Sequence, residues 1–342
     1  MTAQTHRQWR VAARPIGRPL LASDFEYAEA PIREPDEGEA LVKTLYLSFD
    51  PAQKSWMENV AGYRDPVQIG DVMPGRGVGV VLESRDGGLR AGDLVEGPIG
   101  WRDHAVMPAS ELKVLPEGVA PPAAMSLLGT TGATAYLGLV HVGKPKPGDA
   151  LVISGAAGAT GSLVGQLGKL AGCRVIGIAG GAEKCAWLTQ ELGFDGAIDY
   201  KSENVRSRLR DLCPKGIDVF WDNVGGEILN DALARLSVGA RVVICGGISR
   251  YNFDARDPSQ MPPGPRNYFN VVFTGATIQG FLLGHYEREI PLAEARLLDW
   301  IRKGDLKFKA DVREGFEHAP AALMGLFEGG NFGKQMLKVG EP

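Results

Sequence analysis

The chain has 342 residues, 44% of them hydrophobic and 23% charged, with a formal net charge of -4 at pH 7. That length accommodates two domains with buried cores, and the near-balanced charge excludes a basic face for nucleic acid or an anionic membrane. No apolar run reads as membrane-spanning and the first residues lack a signal peptide's apolar core, so the expected location is cytoplasmic.

The first third reads as β-rich. RQWRVAARPIG, FEYAEAPIRE, EALVKTLYLSF, GRGVGVVLES, GDLVEG and HAVMP are short alternating segments broken by Gly, Pro and charge, the style of a small barrel-like domain. Between Pro121 and Val142 the pattern turns helical, with glycines that imply close packing at its start. From Ala150 strands alternate with amphipathic helices: ALVIS, RVIGIAG, GAIDY, IDVFWDNV, ARVVICGG and ATIQGFLL are strands. Helices are expected to begin near Thr160, Glu183, Glu203 and Glu227, with another across Leu292–Lys303. Six apolar strands in that grammar make a parallel, doubly wound sheet covered on both faces. The closing FKADVREGFEHAPAALMGLFEGGNFGKQMLKV reads strand–helix–strand and is expected to return to the first domain. The Pro-rich stretch Pro258–Pro265 is a candidate lid. Cys173, Cys185, Cys213 and Cys245 are scattered without a C-x-x-C pair, and the five histidines are dispersed. Neither a disulfide framework nor a protein-borne metal site is expected.

The most informative stretch is Ala150–Gly161, ALVISGAAGATG. An apolar strand runs into a glycine-studded turn and then a helix, which brings backbone N–H groups and a positive dipole end to one point, where a pyrophosphate fits. Ala156 takes the first glycine's place, and Gly158 and Gly161 hold the other two. The alternative is a tight strand-to-helix turn with no ligand. The second strand of an NAD site usually ends in Asp or Glu; here RVIGIAG ends in Gly180–Gly181–Ala182. That leaves room for a 2′-phosphate, with Lys184 to pair with it, Tyr200 to donate a hydroxyl and Lys201 to add charge. Glu183 either repels that phosphate or caps its helix. The balance favours NADPH.

SGAAGATGSLVGQLGKLAGCRVIGIAG, ELGFDGAIDYK, DVFWDNVGG, CGGISRYN and GGNFGKQMLKV, with YLSFDP and GTTGATAYLGL nearer the front, together resemble the zinc-independent medium-chain dehydrogenase/reductases. Within them the chain is similar to the prostaglandin reductase (leukotriene B4 12-hydroxydehydrogenase) group with its curcumin reductase-like members. The resemblance implies an α/β protein with a GroES-like β-barrel domain (1–123 and 308–342), a doubly wound Rossmann domain binding NADP(H) (124–307), and a homodimer. It further implies that Gly158, Ala159, Thr160 and Gly161 hold the pyrophosphate, and that Lys184 and Tyr200 contact the 2′-phosphate. Asn223, Cys245, Gly246, Gly247, Ile248, Ser249, Phe281, Leu282, Leu283 and Asn331 line the rest. Metal-dependent relatives carry a G-H-E motif and ligand cysteines; here Pro74–Gly79 reads PGRGVG and Leu47–Pro51 has no cysteine.

Without a Lewis acid the expected chemistry is hydride delivery to the β-carbon of an α,β-unsaturated ketone or aldehyde. Tyr251 is the candidate catalytic residue, donating to the enolate oxygen, unless the cofactor ribose does so. Tyr46, Trp56 and Tyr63 are pocket candidates, and Arg266 and Tyr268 are candidates for a substrate carboxylate or carbonyl. Asp50–Pro51 are followed by Ala52–Gln53–Lys54, whereas relatives read D-P-Y-M-R, so a pocket tyrosine is missing. Alternatives are an NADPH:quinone oxidoreductase and a non-catalytic NADPH-binding sensor or structural protein.

Overall fold

The computed structural model describes residues 4–59 and 62–342. The chain divides into two compact units, Met1–Met125 with Tyr251–Pro258 and Ala310–Pro342, and Ser126–Arg250 with Ser259–Lys309.

The first unit opens with β1 (Thr5–Val11) and β2 (Phe25–Pro31), paired antiparallel. β3 (Glu39–Ser48) alternates at its start, burying Ala40 and Val42 on one core, and shifts register at Thr44–Tyr46, after which Leu47 is buried in another. A short helix not anticipated from the sequence, α1 (Ala52–Glu58), follows; Pro51 precedes it with φ -56°, and Asn59 ends it at φ 56°. β4 (Gly77–Ser84), β5 (Leu94–Gly97), β6 (His104–Pro108) and the two-residue β7 (Lys113–Val114) complete this stretch. The glycines of GRGVGV serve packing here. A Cβ on Gly77 would lie 2.6 Å from the Tyr46 carbonyl oxygen, and one on Gly79 would lie 2.4 Å from Val42 Cγ1.

The expected helical stretch divides into α2 (Pro121–Leu127) and α3 (Gly129–Leu137). One reading needs correction: by length and composition Pro121–Gly143 is apolar enough to cross a membrane, but 67% of its most apolar 18-residue window is buried inside the protein. A core helix has this character when both of its faces meet protein.

The second unit then alternates β8 (Ala150–Ser154), α4 (Ala159–Leu170), β9 (Arg174–Ala179), α5 (Ala182–Ala186), β10 (Gly196–Asp199), α6 (Val205–Leu212), β11 (Ile217–Asp222), α7 (Gly226–Leu233) and β12 (Leu236–Ile244). After a long loop come α8 (Asn270–Thr274), β13 (Thr277–Gly280) and α9 (Ile290–Lys303). The strands form one parallel sheet in the order β10-β9-β8-β11-β12-β13. Val152, Ile176, Ile178, Phe220 and Val242 fill one core beneath it. The order reverses between β8 and β11, so the carboxyl ends of these strands frame the crevice where such sheets bind ligands. β13 is shorter than ATIQGFLL suggests, and Phe281–Leu283 lie beyond it. All four β13 residues are exposed on the outer edge of the sheet.

The chain closes with β14 (Ala310–Glu314), α10 (Ala319–Phe327) and β15 (Lys334–Lys338). β15 pairs antiparallel with β3, placing Leu337 opposite Leu47. The first unit's main sheet therefore reads β14-β15-β3-β4-β5-β7, with β6 also on β3. Tyr251–Pro258 packs with this unit, whereas the sequence boundary placed it in the nucleotide-binding domain. Two contacts account for it: Lys54 Nζ donates to the Tyr251 carbonyl, and the Tyr251 ring meets Phe327 edge-on at 5.8 Å. The four cysteines are free, Cys173 and Cys213 buried and the others half-buried.

Candidate functional site

Within the second unit the turn after β8 is built for close approach. Gly155 adopts φ 61°, a conformation that favours glycine, and turns the chain under the start of α4. A Cβ on Gly161 would lie 2.5 Å from the Gly155 carbonyl oxygen and 2.9 Å from Ala156 Cα. Gly161 is thus the residue that lets the helix sit directly on the strand end. Gly158 is the N-cap, in extended conformation, and no side chain caps the helix. The first N–H groups of α4, from Ala159 to Gly161, head a helix whose positive end lies at this turn. A diphosphate fits that chemistry.

The end of β9 carries glycine where a ribose-binding carboxylate would stand. Cβ atoms built on Gly180 would touch the Tyr200 ring at 2.9 Å and Lys201 Cε at 3.0 Å, whereas Gly181, at φ 101°, faces open space. Tyr200 and Lys201 therefore cover the β9 end. The carboxylate nearby, Asp199, is committed to backbone and side-chain donors of two turns: Oδ1 accepts from Gly181 N–H, after β9, at 2.7 Å and from Lys201 N–H at 3.0 Å, and Oδ2 from Ser202 Oγ at 2.8 Å. Those bonds, the Gly181 one foremost, hold its carboxyl below the ordinary range. Lys184 is half-buried on α5 beside this turn. Glu183 neither caps α5 nor turns inward; it is 83% exposed and lies 3.8 Å from Lys309.

Across the switch point the DNVGG turn is locked from within. Asp222, at the end of β11 and 1% exposed, accepts from Ser154 Oγ at 2.7 Å, Gly225 N–H at 2.9 Å and Val224 N–H at 3.1 Å. Burial pushes its carboxyl above the ordinary range, against the pull of those bonds. Asn223 spends its amide on the scaffold, donating to the Ser154 carbonyl at 2.7 Å and accepting from Trp221 Nε1 at 3.0 Å. It latches the ends of β8 and β11 together. Cys245 and Gly246 donate to the Asp222 carbonyl, Ile248 to that of Asn223, and Ser249 to that of Val224. Burial and the Asp222 charge push the Cys245 thiol up to about 12.

Of the other residues singled out, Phe281 stands edge-on to Trp221 at 5.9 Å, with exposed Leu282 and half-buried Leu283 following. The carboxyl ends of β8 to β13 thus gather every expected cofactor residue except Asn331. That residue lies in the first unit, with Nδ2 donating to the Gly333 carbonyl at 3.2 Å. Tyr251 is likewise in the first unit, half-buried. Tyr46 packs with Val78, Met125 and Met336, and Trp56 Nε1 donates to the Tyr63 hydroxyl at 2.9 Å. Arg266 pairs with Glu227 at 2.5 Å, and Tyr268 is exposed against Phe269. Sequence reasoning missed Asp199 as a turn organiser, and for Asp222, at a strand end beside Asn223, it favoured a cofactor role over turn chemistry. Their signal was an Asp closing each strand just before a glycine or polar turn. Among the described residues no group of three or more His, Cys, Asp or Glu side chains is placed to hold a metal ion.

A doubly wound sheet with an uncapped glycine turn at its switch point, in a chain whose other unit is a mainly antiparallel β-sheet, defines a dinucleotide-binding oxidoreductase of the two-domain kind. Comparison with known proteins makes the class specific. Family models described as "N-terminal domain of oxidoreductase" and "Zinc-binding dehydrogenase" match residues 7–115 and 159–300. The putative NADP-dependent oxidoreductase YfmJ of Bacillus subtilis is 40% identical, over 100% of both chains. The NADPH-dependent curcumin reductase of Escherichia coli is 37% identical over 98% of this chain and 97% of its own. The crystal structure of CurA from Vibrio vulnificus in complex with NADPH superposes with a TM-score of 0.89 at 37% identity, covering 98% of this chain and 100% of that one. The chain belongs to the medium-chain dehydrogenase/reductase family of oxidoreductases, in its prostaglandin reductase and curcumin reductase group.

Proposed function

We propose that this protein is an NADP(H)-dependent reductase that saturates the C=C bond of α,β-unsaturated ketones and aldehydes. The observation that carries the cofactor choice is the end of β9, where Gly180 and Gly181 replace a carboxylate and Tyr200 and Lys201 close over the glycines. A 2′-phosphate there meets a phenol and ammonium groups instead of a negative charge, and Lys184 on α5 adds another. The α4 N-terminus takes the pyrophosphate. The reaction class draws support from relatives named NADPH-dependent curcumin reductase and 2-alkenal reductase (NADP(+)-dependent).

When bound, NADPH supplies a hydride to the β-carbon of the enone. The protein's part is to hold the reacting groups together, exclude water and stabilise the carbonyl oxygen as negative charge builds on it. Tyr251 is the residue assigned that last task through its phenolic O–H. Removing such a donor costs on the order of 3 kcal/mol, so Tyr251→Phe is expected to lower kcat about a hundredfold while leaving NADPH affinity unchanged.

The partner assigned to the exposed edge is a second copy of this chain. β13 offers four exposed residues at the sheet margin, and Phe269, Val272 and Phe273 around α8 are 55%, 65% and 75% exposed. An edge strand flanked by apolar side chains is stable in water when covered, and antiparallel pairing with its own copy covers both. Phe273→Asp is expected to give a monomer by light scattering. The four free thiols suit a reducing compartment such as the cytosol.

The direct test is NADPH oxidation, followed by absorbance, with a 2-alkenone, a 2-alkenal, an aryl enone and a quinone, using NADH as control. The expected result is saturated ketone or aldehyde as product, with NADPH strongly preferred. Turnover of the quinone alone would make the protein a quinone reductase. Tight NADPH binding without turnover of any acceptor would make it a sensor or structural protein.

A further inference from the structure

The first unit holds a buried ammonium that the chemistry above does not use. Lys54, on α1, is 0% exposed. Its Nζ donates to the Pro15 carbonyl at 3.1 Å, to the Tyr251 carbonyl at 2.5 Å and to Glu58 Oε1. A lysine ammonium has three N–H donors, and three acceptors from three parts of the chain use them: the loop after β1, α1 itself, and the segment Tyr251–Pro258. Glu58 is buried as well, and Asp254 and Arg256 from that segment lie near enough to act on its charge. Asp254 and Arg256 pair with each other at 3.0 Å.

Sealing an ammonium and a carboxylate inside a protein costs desolvation energy that well-packed apolar side chains would avoid. What the charges provide that an apolar filling would not is direction. A hydrogen-bonded ammonium fixes where one main-chain carbonyl stands. That carbonyl belongs to Tyr251, whose ring is set independently by its edge-on contact with Phe327, with an interplanar angle of 64°. With the main chain held at one point and the ring at another, the direction of the phenolic O–H follows.

We propose that Lys54 is a positioning residue: its ammonium fixes the Tyr251 main chain and so aims the phenol at the substrate oxygen. This rests on the assignment of Tyr251 made above. It gives a role to the lysine in the stretch Asp50–Lys54, where this chain departs from its relatives' wording.

The experiment uses the full-length protein with Lys54→Met, Lys54→Arg, the charge-balanced pair Lys54→Met with Glu58→Gln, Tyr251→Phe, and Lys54→Met combined with Tyr251→Phe. Each is measured for kcat with a turned-over enone, for NADPH Kd by fluorescence, and for amide hydrogen exchange at residues 251–258. The expected result is that the charge-balanced pair lowers kcat by about tenfold, as a misplaced catalytic group does, with NADPH Kd unchanged. Exchange should speed up selectively at 251–258, Lys54→Arg should keep most of the rate, and Lys54→Met should add little once Tyr251 is phenylalanine. Unchanged kcat and exchange in both Met variants would overturn the inference. So would losses that add in full on the Tyr251→Phe background, or destabilisation spread evenly over the first unit. A Tyr251→Phe enzyme with unchanged kcat would instead remove the assignment of Tyr251 itself, leaving Lys54 a structural tie.

Discussion

β10 and β11 each end in an aspartate that gathers the backbone N–H groups of the next turn, yet the two carboxylates live in opposite surroundings. Asp222 is 1% exposed and burial raises its pKa; Asp199 is partly exposed and its hydrogen bonds lower it. The buried one binds protein to protein, joining Ser154 on β8 to the DNVGG turn, so it makes the floor of the crevice rigid. The partly exposed one ties its own loop, which carries Tyr200 and Lys201 over Gly180, to the end of β9 through Gly181 N–H. One device thus builds a rigid crevice floor and, separately, the loop proposed to choose between nucleotides.

That contrast breaks most visibly at Asp222. Asp222→Ala strands the Ser154 hydroxyl and the Val224 and Gly225 N–H groups in a buried place, and an unsatisfied buried group costs about 1–3 kcal/mol. The expected outcome is a loss of several kcal/mol in urea denaturation and loss of binding to NADPH and NADH alike. Lys184→Ala and Tyr200→Phe should act on one cofactor only. Each is expected to lower the NADPH-to-NADH ratio of kcat/KM by about tenfold, with stability unchanged, as loss of a charge-assisted contact does. Equal effects on both cofactors would place the discriminating contact elsewhere.

The smallest effect is the sharpest in sign. A lowered carboxyl pKa contributes stability that is present above the ordinary aspartate value of 3.8 and lost as pH falls through the lowered value. The wild type's advantage over Asp199→Asn should therefore shrink on acidification below that value. For Asp222 the folded state holds its proton more tightly than the unfolded chain, so this group's contribution falls as pH rises from 3.8 through the raised value. The wild type should accordingly gain on Asp222→Asn as pH falls. Urea midpoints of the three proteins across that range decide it, and parallel slopes would show that the two turns share one electrostatic environment.

The second unit was legible because each of its signals is local. ALVIS reads as a buried strand, GAAGATG as a glycine-studded turn into a helix, and the missing carboxylate after Ala179 as a change of cofactor. What escaped depends on residues far apart in sequence. α1 was not expected, because seven residues after a proline carry too little periodicity to stand out from a loop. The burial of Lys54 was not read, because its acceptors, Pro15 and Tyr251, come together only in the fold. Pro121–Gly143 was not flagged as membrane-like, since its glycines and threonines interrupt what is still a long apolar helix. The latch that Asn223 makes between β8 and β11 was not read, because only the fold brings Ser154 beside it.

The four thiols bear on life with a reactive substrate. Burial, the leading cause in each case, pushes Cys173, Cys185 and Cys213 up to about 11, and Cys245 up to about 12. At neutral pH only about one in ten thousand of the first three is thiolate, and the thiolate is the form that adds to electrophilic alkenes. A catalyst proposed to spend its working life among Michael acceptors would thus present them with almost no nucleophilic sulfur, resisting self-alkylation without having discarded cysteine from its sequence.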